Sequence, residues 1–155
     1  KNVLLQQLSF SNLDNLSDTV KMNYHVSVDN YTSEVAGMQI FSFPWVDIYG
    51  SLGFVSMEKR QFPIALWSVS STPADKEVIT FILPAGKKLI EAPKNVSYSC
   101  PALNYSLHFE VKPDRVIATR EVKYLAEEVP TSEFAAFKEV LNKMVAADKK
   151  QIAFK

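Results

Sequence analysis

A cysteine and a histidine, Cys100 and His108, lie close together in the last third of the chain. Cysteine hydrolases use such a pair, with the thiol activated by a helix N-terminus or a nearby cation. Neither condition is met here, because Cys100 precedes Pro101 at the end of an extended segment and His108 lies on the polar side of an alternating one. A lone cysteine is usually a small buried hydrophobe. The sequence therefore predicts a structural thiol and no catalytic residue.

Metal, phosphate and paired-carboxylate chemistry have equally little support. His25 and His108 are the only histidines, and they lack the close spacing of metal ligands. The four glycines fit no phosphate-binding loop. Glycoside hydrolysis would need two carboxylates facing each other across a cleft, and the sequence gives no geometry to choose among the candidates. The candidates of the right type are Asp47, Glu58, Glu110 and Glu121. We expect no metal site, no cofactor and no enzyme activity in this chain.

Aromatic residues in the least regular part of the chain offer a different chemistry. They are Trp45, Tyr49, Phe54 and Trp67. Two interpretations stay open, since such residues either fill a core or contact a glycan or peptide from loops at the rim of a β-sandwich. The binding interpretation assigns Trp45, Tyr49 and Trp67 to a ligand surface.

The alternating pattern places the charged residue Arg120 on an inward face. It falls in register with Val116, Ala118, Val122 and Tyr124. A buried, unpaired guanidinium is very costly, so an inward arginine needs a carboxylate or carbonyl partner. We interpret Arg120 as half of a structural ion pair.

Alternating segments predict the strands that must position these residues. Residues 105–111 and 116–124 alternate and are joined by a short turn, which predicts a hairpin. Residues 20–28 also alternate, with Met22, Tyr24, Val26 and Val28 on one face and His25 on the other. Residues 3–10 are compatible with a strand or a short helix.

Three further segments complete the strand prediction. Residues 62–69 and 77–83 are expected to form a hairpin with a long loop, because turn formers separate them. The apolar run 38–43 should stop at Pro44, which cannot donate to a sheet ladder. The tail 151–155 alternates and is expected to be an edge strand.

One helix is predicted near the C-terminus, over about residues 131–148. Its apolar residues recur at spacings of three and four, the period of a helix that packs one stripe on a sheet. They are Phe134, Phe137, Val140, Leu141, Met144 and Val145. Thr131 or Ser132 is expected to cap the N-terminus.

Length and composition bound the fold and the partners. A chain of 155 residues with 47% hydrophobic and 22% charged residues is expected to form a single β-rich domain over 1–155. Formal net charge is zero and no basic run occurs, so nucleic acid is not expected as a partner. No apolar run is long enough for a membrane span. Many short strands followed by one helix predict a mainly β fold, an antiparallel β-sandwich (immunoglobulin-like or related) with one C-terminal α-helix.

Several structural motifs together resemble a known type of C-terminal domain. They are Arg60-Gln-Phe-Pro-Ile64, Phe81-Ile-Leu-Pro-Ala-Gly86, Ala92-Pro-Lys-Asn-Val96, Tyr105-Ser-Leu-His-Phe109, Val116-Ile-Ala-Thr-Arg120, and the helix after Pro130 with Ala147-Asp148. The chain resembles, over about residues 40–155, the uncharacterised domain that follows a transglutaminase-like cysteine-protease domain in large exported proteins of Gram-negative bacteria, mostly Bacteroidetes.

The resemblance implies an accessory role. It implies a three-part parent protein whose central domain holds a Cys-His-Asp triad, and none of those triad motifs occurs here. The chain is then expected to be cut from the C-terminus of a larger periplasmic or extracellular protein, with residues 1–40 as junction strands. Its expected partner is the transglutaminase-like domain of the same parent chain, which it would position or stabilise. A glycan- or peptide-binding sandwich module is the alternative.

Overall fold

The computed structural model describes residues 2–15, 17–46, 56–68, 70 and 72–155. Its elements in chain order are β1 (Val3–Ser11), β2 (Lys21–Val28), β3 (Ser33–Val35), β4 (Met38–Ser42), β5 (Ile64–Ala65), a 3-10 helix (Leu66–Ser68), β6 (Ala74–Ile82), β7 (Leu89–Glu91), β8 (Val96–Cys100), β9 (Leu103–Val111), β10 (Arg115–Tyr124), β11 (Glu128–Val129), α1 (Phe134–Asp148) and β12 (Gln151–Phe154). No helix in the described ranges has the length and apolar character needed to cross a membrane.

The strands of the described residues form two four-stranded antiparallel sheets and two smaller pairs. The main sheet has the order β6-β10-β9-β8, and the second sheet has the order β3-β4-β12-β7. The smaller pairs are β1 with β2 and β5 with β11. The predicted fold class, a mainly β antiparallel sandwich with one C-terminal helix, is confirmed.

Alternation along the main sheet decides which side chains form the core. In β9 the side chains of Leu103, Tyr105, Leu107 and Phe109 are buried, while those between them are more exposed. Because β10 alternates in the same register, its buried residues lie opposite those of β9 on one inner face. The predicted hairpin is present, and the Lys112 N–H donates to the Arg115 carbonyl across its turn, at 2.9 Å.

The inner face of the main sheet is covered by two different structures. Helix α1 packs its apolar stripe over β8 and β9. Aromatic rings of the second sheet cover the other half, where the Phe41 and Phe81 ring centroids are 4.2 Å apart and those of Phe81 and Phe154 are 5.2 Å apart. The core is therefore a layer between the main sheet on one side and the helix with the second sheet on the other.

Two strand assignments from the sequence were wrong. Residues 62–69 and 77–83 do not form a hairpin, because β5 pairs with β11 and β6 pairs with β10. The tail strand β12 is not an edge strand, since β4 and β7 flank it on either side. Local alternation reveals a strand but contains no information about its neighbours, so both errors concern pairing.

The helix begins later than predicted. Its first residue is Phe134, Glu133 occupies the N-cap position, and no side chain caps it. Thr131 and Ser132 lie in a turn before the helix, in which the Pro130 carbonyl accepts from the Glu133 N–H at 3.0 Å. The prediction that Thr131 or Ser132 caps the helix was therefore wrong, because the turn places both residues ahead of the first free N–H groups.

Candidate functional site

Arg120 lies at the centre of a buried polar cluster. Its side chain is 2% exposed, and its guanidinium pairs with the carboxylates of Glu77 and Asp148. The Nη1 atom donates to Asp148 Oδ2 at 2.8 Å, and the Nη2 atom donates to Glu77 Oε1. Two acids therefore compensate one buried cation, which is the arrangement that an inward arginine requires.

The strand register and the helix end bring these three residues together. Arg120 on β10 lies directly across from Glu77 on β6, so both side chains occupy the same inner face of the main sheet. Asp148 is the last residue of α1 and reaches the cluster from the opposite layer. The ion pairs therefore connect the edge strand, a central strand and the helix.

Two aromatic residues complete the cluster. The Tyr105 hydroxyl donates to Asp148 Oδ1 at 2.6 Å. The Trp45 ring lies over the Arg120 guanidinium, with the guanidinium carbon 4.9 Å from the ring centroid, and its Nε1–H donates to the main-chain carbonyl of Asp148 at 3.2 Å. The Glu77 carboxylate accepts a further bond from the Val46 N–H at 2.8 Å. We call Trp45, Glu77, Tyr105, Arg120 and Asp148 the arginine cluster.

Burial shifts the titration of two members of the arginine cluster. Desolvation, with the hydrogen bond to Asp148, raises the pKa of the Tyr105 phenol well above its ordinary value. Desolvation also raises the pKa of the Asp148 carboxyl, although the hydrogen bond from Tyr105 and the charge of Arg120 act in the opposite direction. Every buried side-chain nitrogen and oxygen in the described residues has a hydrogen-bond partner. The cluster is thus suited to holding layers together.

The candidate nucleophile and its candidate base point to opposite sides of the main sheet. Cys100, at the end of β8, is half-buried and packs against the core, whereas His108 on β9 is exposed on the outer face. A Cys-His pair therefore does not form. No group of three or more metal-ligating side chains occurs among the residues that the structure describes.

The candidate carboxylates are surface groups. Glu110 pairs with Lys112 at 3.2 Å, and Glu121 pairs with Lys76 at 2.7 Å, both on exposed parts of the main sheet. Glu58 is exposed, and Asp47 lies outside the described residues. The described candidates are therefore exposed or paired with lysines, which is typical of surface charges.

The three aromatic residues assigned to a ligand surface do not share one environment. Trp45 is half-buried and belongs to the arginine cluster, with its ring stacked on Phe43 at a centroid distance of 5.6 Å. Trp67 is 78% exposed. Tyr49 and Phe54 lie outside the described residues. Of the assigned residues, only Trp67 presents its ring to solvent in the described part of the chain.

Trp67 lines a cavity of about 480 Å³ between the 3-10 helix and the segment after β10. Its walls combine apolar groups with hydroxyls and one carboxylate. They are Leu66, Trp67, Ser70, Thr72, Pro73, Tyr124, Leu125, Ala126 and Glu127. The main chain holds the walls in place, because the Leu66 N–H donates to the Glu127 carbonyl at 2.8 Å and the Tyr124 N–H to the Pro73 carbonyl at 2.9 Å. The volume is in the range of small-ligand sites.

The hairpin of β1 and β2 presents a second candidate surface. Four cross-strand pairs place only apolar side chains on one face: Val3 with Val28, Leu5 with Val26, Leu8 with Tyr24, and Phe10 with Met22. We call these eight side chains the apolar face. Leu8 is 51% exposed and Tyr24 is 53% exposed, and neither strand pairs with another strand of the described chain. Such a face normally marks a contact surface.

Comparisons with known proteins place this chain in a family. A family model described as a domain of unknown function with a solved structure, DUF3858, matches residues 43–154. This chain belongs to the DUF3858 family. The apolar face of β1 and β2 lies outside the residues that the family model matches. No curated protein matches the chain.

A solved structure shares the fold of this DUF3858 chain. It is the crystal structure of a protein from Parabacteroides distasonis ATCC 8503, described as a putative protease, with a TM-score of 0.57 and 15% sequence identity. The match covers 76% of the DUF3858 chain and 23% of that protein. The region in common therefore spans about a quarter of the longer protein.

Sequence reasoning found Arg120 but missed its partners. Glu77 would have been found if β6 had been paired with β10, because the two residues then face each other. Asp148 and Tyr105 come from different layers, and their meeting depends on how α1 docks on the main sheet.

Proposed function

We propose that this DUF3858 chain is a non-catalytic accessory domain that packs against, and positions, a transglutaminase-like catalytic domain in a longer exported protein. The observation that carries the proposal is the apolar face of β1 and β2, which is largely exposed, on two strands that pair with no other described strand. A domain that works alone in water rarely leaves a contiguous apolar surface uncovered.

The arrangement of the polar residues supports an accessory role. The charges of the arginine cluster are paired between strands and helix, and the guanidinium of Arg120 is buried, as in a structural ion pair. Cys100 and His108 lie on opposite sides of the main sheet. These positions support our proposal that the described residues act as a scaffold and that the chemistry belongs to another domain.

The solved neighbour is consistent with a place in a longer polypeptide. That protein has a similar fold in about a quarter of its length and is described as a putative protease. We propose that the parent of this chain has the same kind of organisation, and that it is exported to the periplasm or the extracellular space.

A direct experiment compares this chain with the full polypeptide that its gene encodes. Both are assayed for peptide hydrolysis and for amine incorporation into a glutamine-containing protein. We expect activity from the full polypeptide alone, abolished when the cysteine of its transglutaminase-like domain is alkylated. Activity from the 155-residue chain, or the absence of a transglutaminase-like domain from the full polypeptide, would contradict the proposal.

The cavity beside Trp67 supports a second candidate function, a module that binds a glycan or a peptide. An exposed indole next to hydroxyl groups and a carboxylate can stack on a ligand and hydrogen-bond to it. Screening against glycan and peptide arrays tests this function, and Trp67→Ala should abolish any binding found. Phe62→Ala is the matched control, because Phe62 is 73% exposed but does not line the cavity. Binding that survives Trp67→Ala would exclude this site.

A further inference from the structure

We infer that the apolar face of β1 and β2 docks on the apolar face of a β-sheet in an adjoining domain of the same polypeptide. The hairpin then forms one layer of a sandwich shared across the domain boundary. This inference rests on the proposed function in one respect, the existence of a longer polypeptide. It does not depend on what that adjoining domain catalyses.

A bulge gives the hairpin its amphipathic character. The pairing of β1 with β2 shifts between Leu5 and Gln7, so Gln6 is an extra residue in the ladder. Because of this shift, Leu5 and Leu8 lie on the same face although three positions separate them. The opposite face carries Gln7, Ser9 and their partners His25 and Asn23. One face of the hairpin is therefore apolar and the other mostly polar.

The apolar face requires a partner surface that is also apolar. A two-stranded hairpin alone is only marginally stable in water, and it gains stability when its apolar face is covered. None of the eight residues of the apolar face carries a charge, so the complementary surface is also uncharged. A second sheet that packs face to face at about 10 Å satisfies these requirements, because its side chains interdigitate with those of the hairpin.

The size of the apolar face favours a partner in the same polypeptide over a second copy of the chain. Obligate homodimers bury about 1,000 Å² or more from each partner, and eight side chains on two strands form a small face for such an interface. A covalently linked domain needs less area, because linkage supplies an effective concentration of about millimolar. The hairpin also lies outside residues 43–154, the part that the family model matches.

Two cysteine probes on adjacent residues test the inference. Leu8→Cys places a thiol on the apolar face, and Gln7→Cys places a matched thiol on the polar face of the same strand. Both are made in a Cys100→Ala background, since Cys100 is the only cysteine among these 155 residues. Labelling is read at the β1 peptide by mass spectrometry, so that cysteines elsewhere in the full polypeptide do not contribute. Maleimide labelling rates are then measured in this chain and in the full polypeptide that its gene encodes.

We expect similar rates at both positions in this chain. In the full polypeptide, labelling at Leu8→Cys should be slower than at Gln7→Cys by on the order of tenfold, because only the covered face must open before it reacts. Hydrogen exchange of the unsubstituted proteins is a second measurement, in which the amides of β1 and β2 should gain protection in the full polypeptide.

Three results would overturn the inference. They are equal labelling rates in the full polypeptide, unprotected hairpin amides there, and protection of Leu8→Cys in this chain together with a dimer mass at micromolar concentration. Failure of the proposed function has a different signature. If the adjoining domain proves not to be transglutaminase-like but still protects Leu8→Cys, the proposed function fails and the docking inference stands.

Discussion

At the scale of single residues, the arginine cluster shows how one buried charge connects separate layers. Arg120 holds a carboxylate from the neighbouring strand and another from the end of the helix, and Trp45 covers the guanidinium. Replacing a complete buried ion pair by apolar groups can be neutral, but removing one partner leaves an uncompensated charge. Single substitutions in the cluster should therefore be severe.

Arg120→Met should destabilise the domain by about 3–5 kcal/mol, because Glu77 and Asp148 would remain as carboxylates without their cation. Urea denaturation measures the change. Arg115→Met is the matched control on the same strand, since Arg115 pairs with Asp114 at the surface, and it should change stability by no more than about 0.5 kcal/mol. Equal effects of the two substitutions would contradict a special role for the cluster.

The loss of unfolding free energy caused by Arg120→Met should also depend on pH. Burial already raises the pKa of Asp148, and loss of the guanidinium raises it further. A carboxyl whose pKa is raised by folding stabilises the folded state at pH values below its ordinary pKa of 3.8. That stabilisation is lost as the pH rises through the pKa of the folded state. The gap in unfolding free energy between Arg120→Met and the unsubstituted chain should therefore be larger at neutral pH than near pH 4. A gap that shrinks as pH rises would contradict this reasoning.

The two tryptophans should respond to truncation in opposite ways. Trp45→Ala removes a ring packed on Arg120 and Phe43 and should cost about 3 kcal/mol or more of unfolding free energy. Trp67 is 78% exposed, so Trp67→Ala should change stability by no more than about 0.5 kcal/mol. Thermal unfolding followed by circular dichroism measures both. A large loss on Trp67→Ala would show that this residue is part of the core.

At the scale of elements, the sequence predicted which segments form strands better than which strands pair. The alternation of β2, β9 and β10 was sufficient to assign their faces, and the apolar stripe was sufficient to assign α1. The central position of β12 was missed because a short alternating tail looks the same at an edge and in a centre. Of the arginine cluster, only Arg120 was predicted to form a buried ion pair, and Trp45 was assigned to a ligand surface instead. The partners of Arg120 depend on long-range pairing and helix docking.

Deleting either end of the chain should have very different effects. Without residues 151–155 the second sheet loses β12, one of its two inner strands, and the core loses Ile152 and Phe154, which are 0% and 1% exposed. We therefore expect no cooperative unfolding transition. Without residues 2–30 the melting temperature should change by no more than about 3 °C, because the hairpin pairs with no other described strand. Calorimetry measures both variants. Unfolding of the N-terminal deletion would show that the hairpin supports the core.

At the scale of the whole molecule, the chain combines a tightly packed region with a hairpin that pairs with no other described strand. The main sheet, the second sheet and α1 share one buried core. The side chains of β1 are all exposed. The DUF3858 match begins after the hairpin, at residue 43, and the hairpin is the part from which we infer contact with a neighbouring domain.

Substitutions at matched cross-strand pairs should identify the surface that binds apolar dyes. The double change Leu8→Ser with Tyr24→Ser removes one pair from the apolar face, and Gln7→Ser with His25→Ser changes the adjacent pair on the polar face. We expect 8-anilinonaphthalene-1-sulfonate fluorescence to fall severalfold in the first variant and to stay unchanged in the second, because dye binding follows exposed apolar area. Equal fluorescence in both variants would show that the dye binds a different surface of the protein.

The central position of β12 also constrains the order in which the molecule can assemble. Ser42 on β4 and Gln151 on β12 face each other in the second sheet, although 109 residues separate them. The hairpin of β9 and β10 can close early because its contacts are local, whereas the second sheet must wait until β12 has been synthesised. During translation, Phe41 and its neighbours therefore remain without their final partners, and this late closure should be the slowest step of folding.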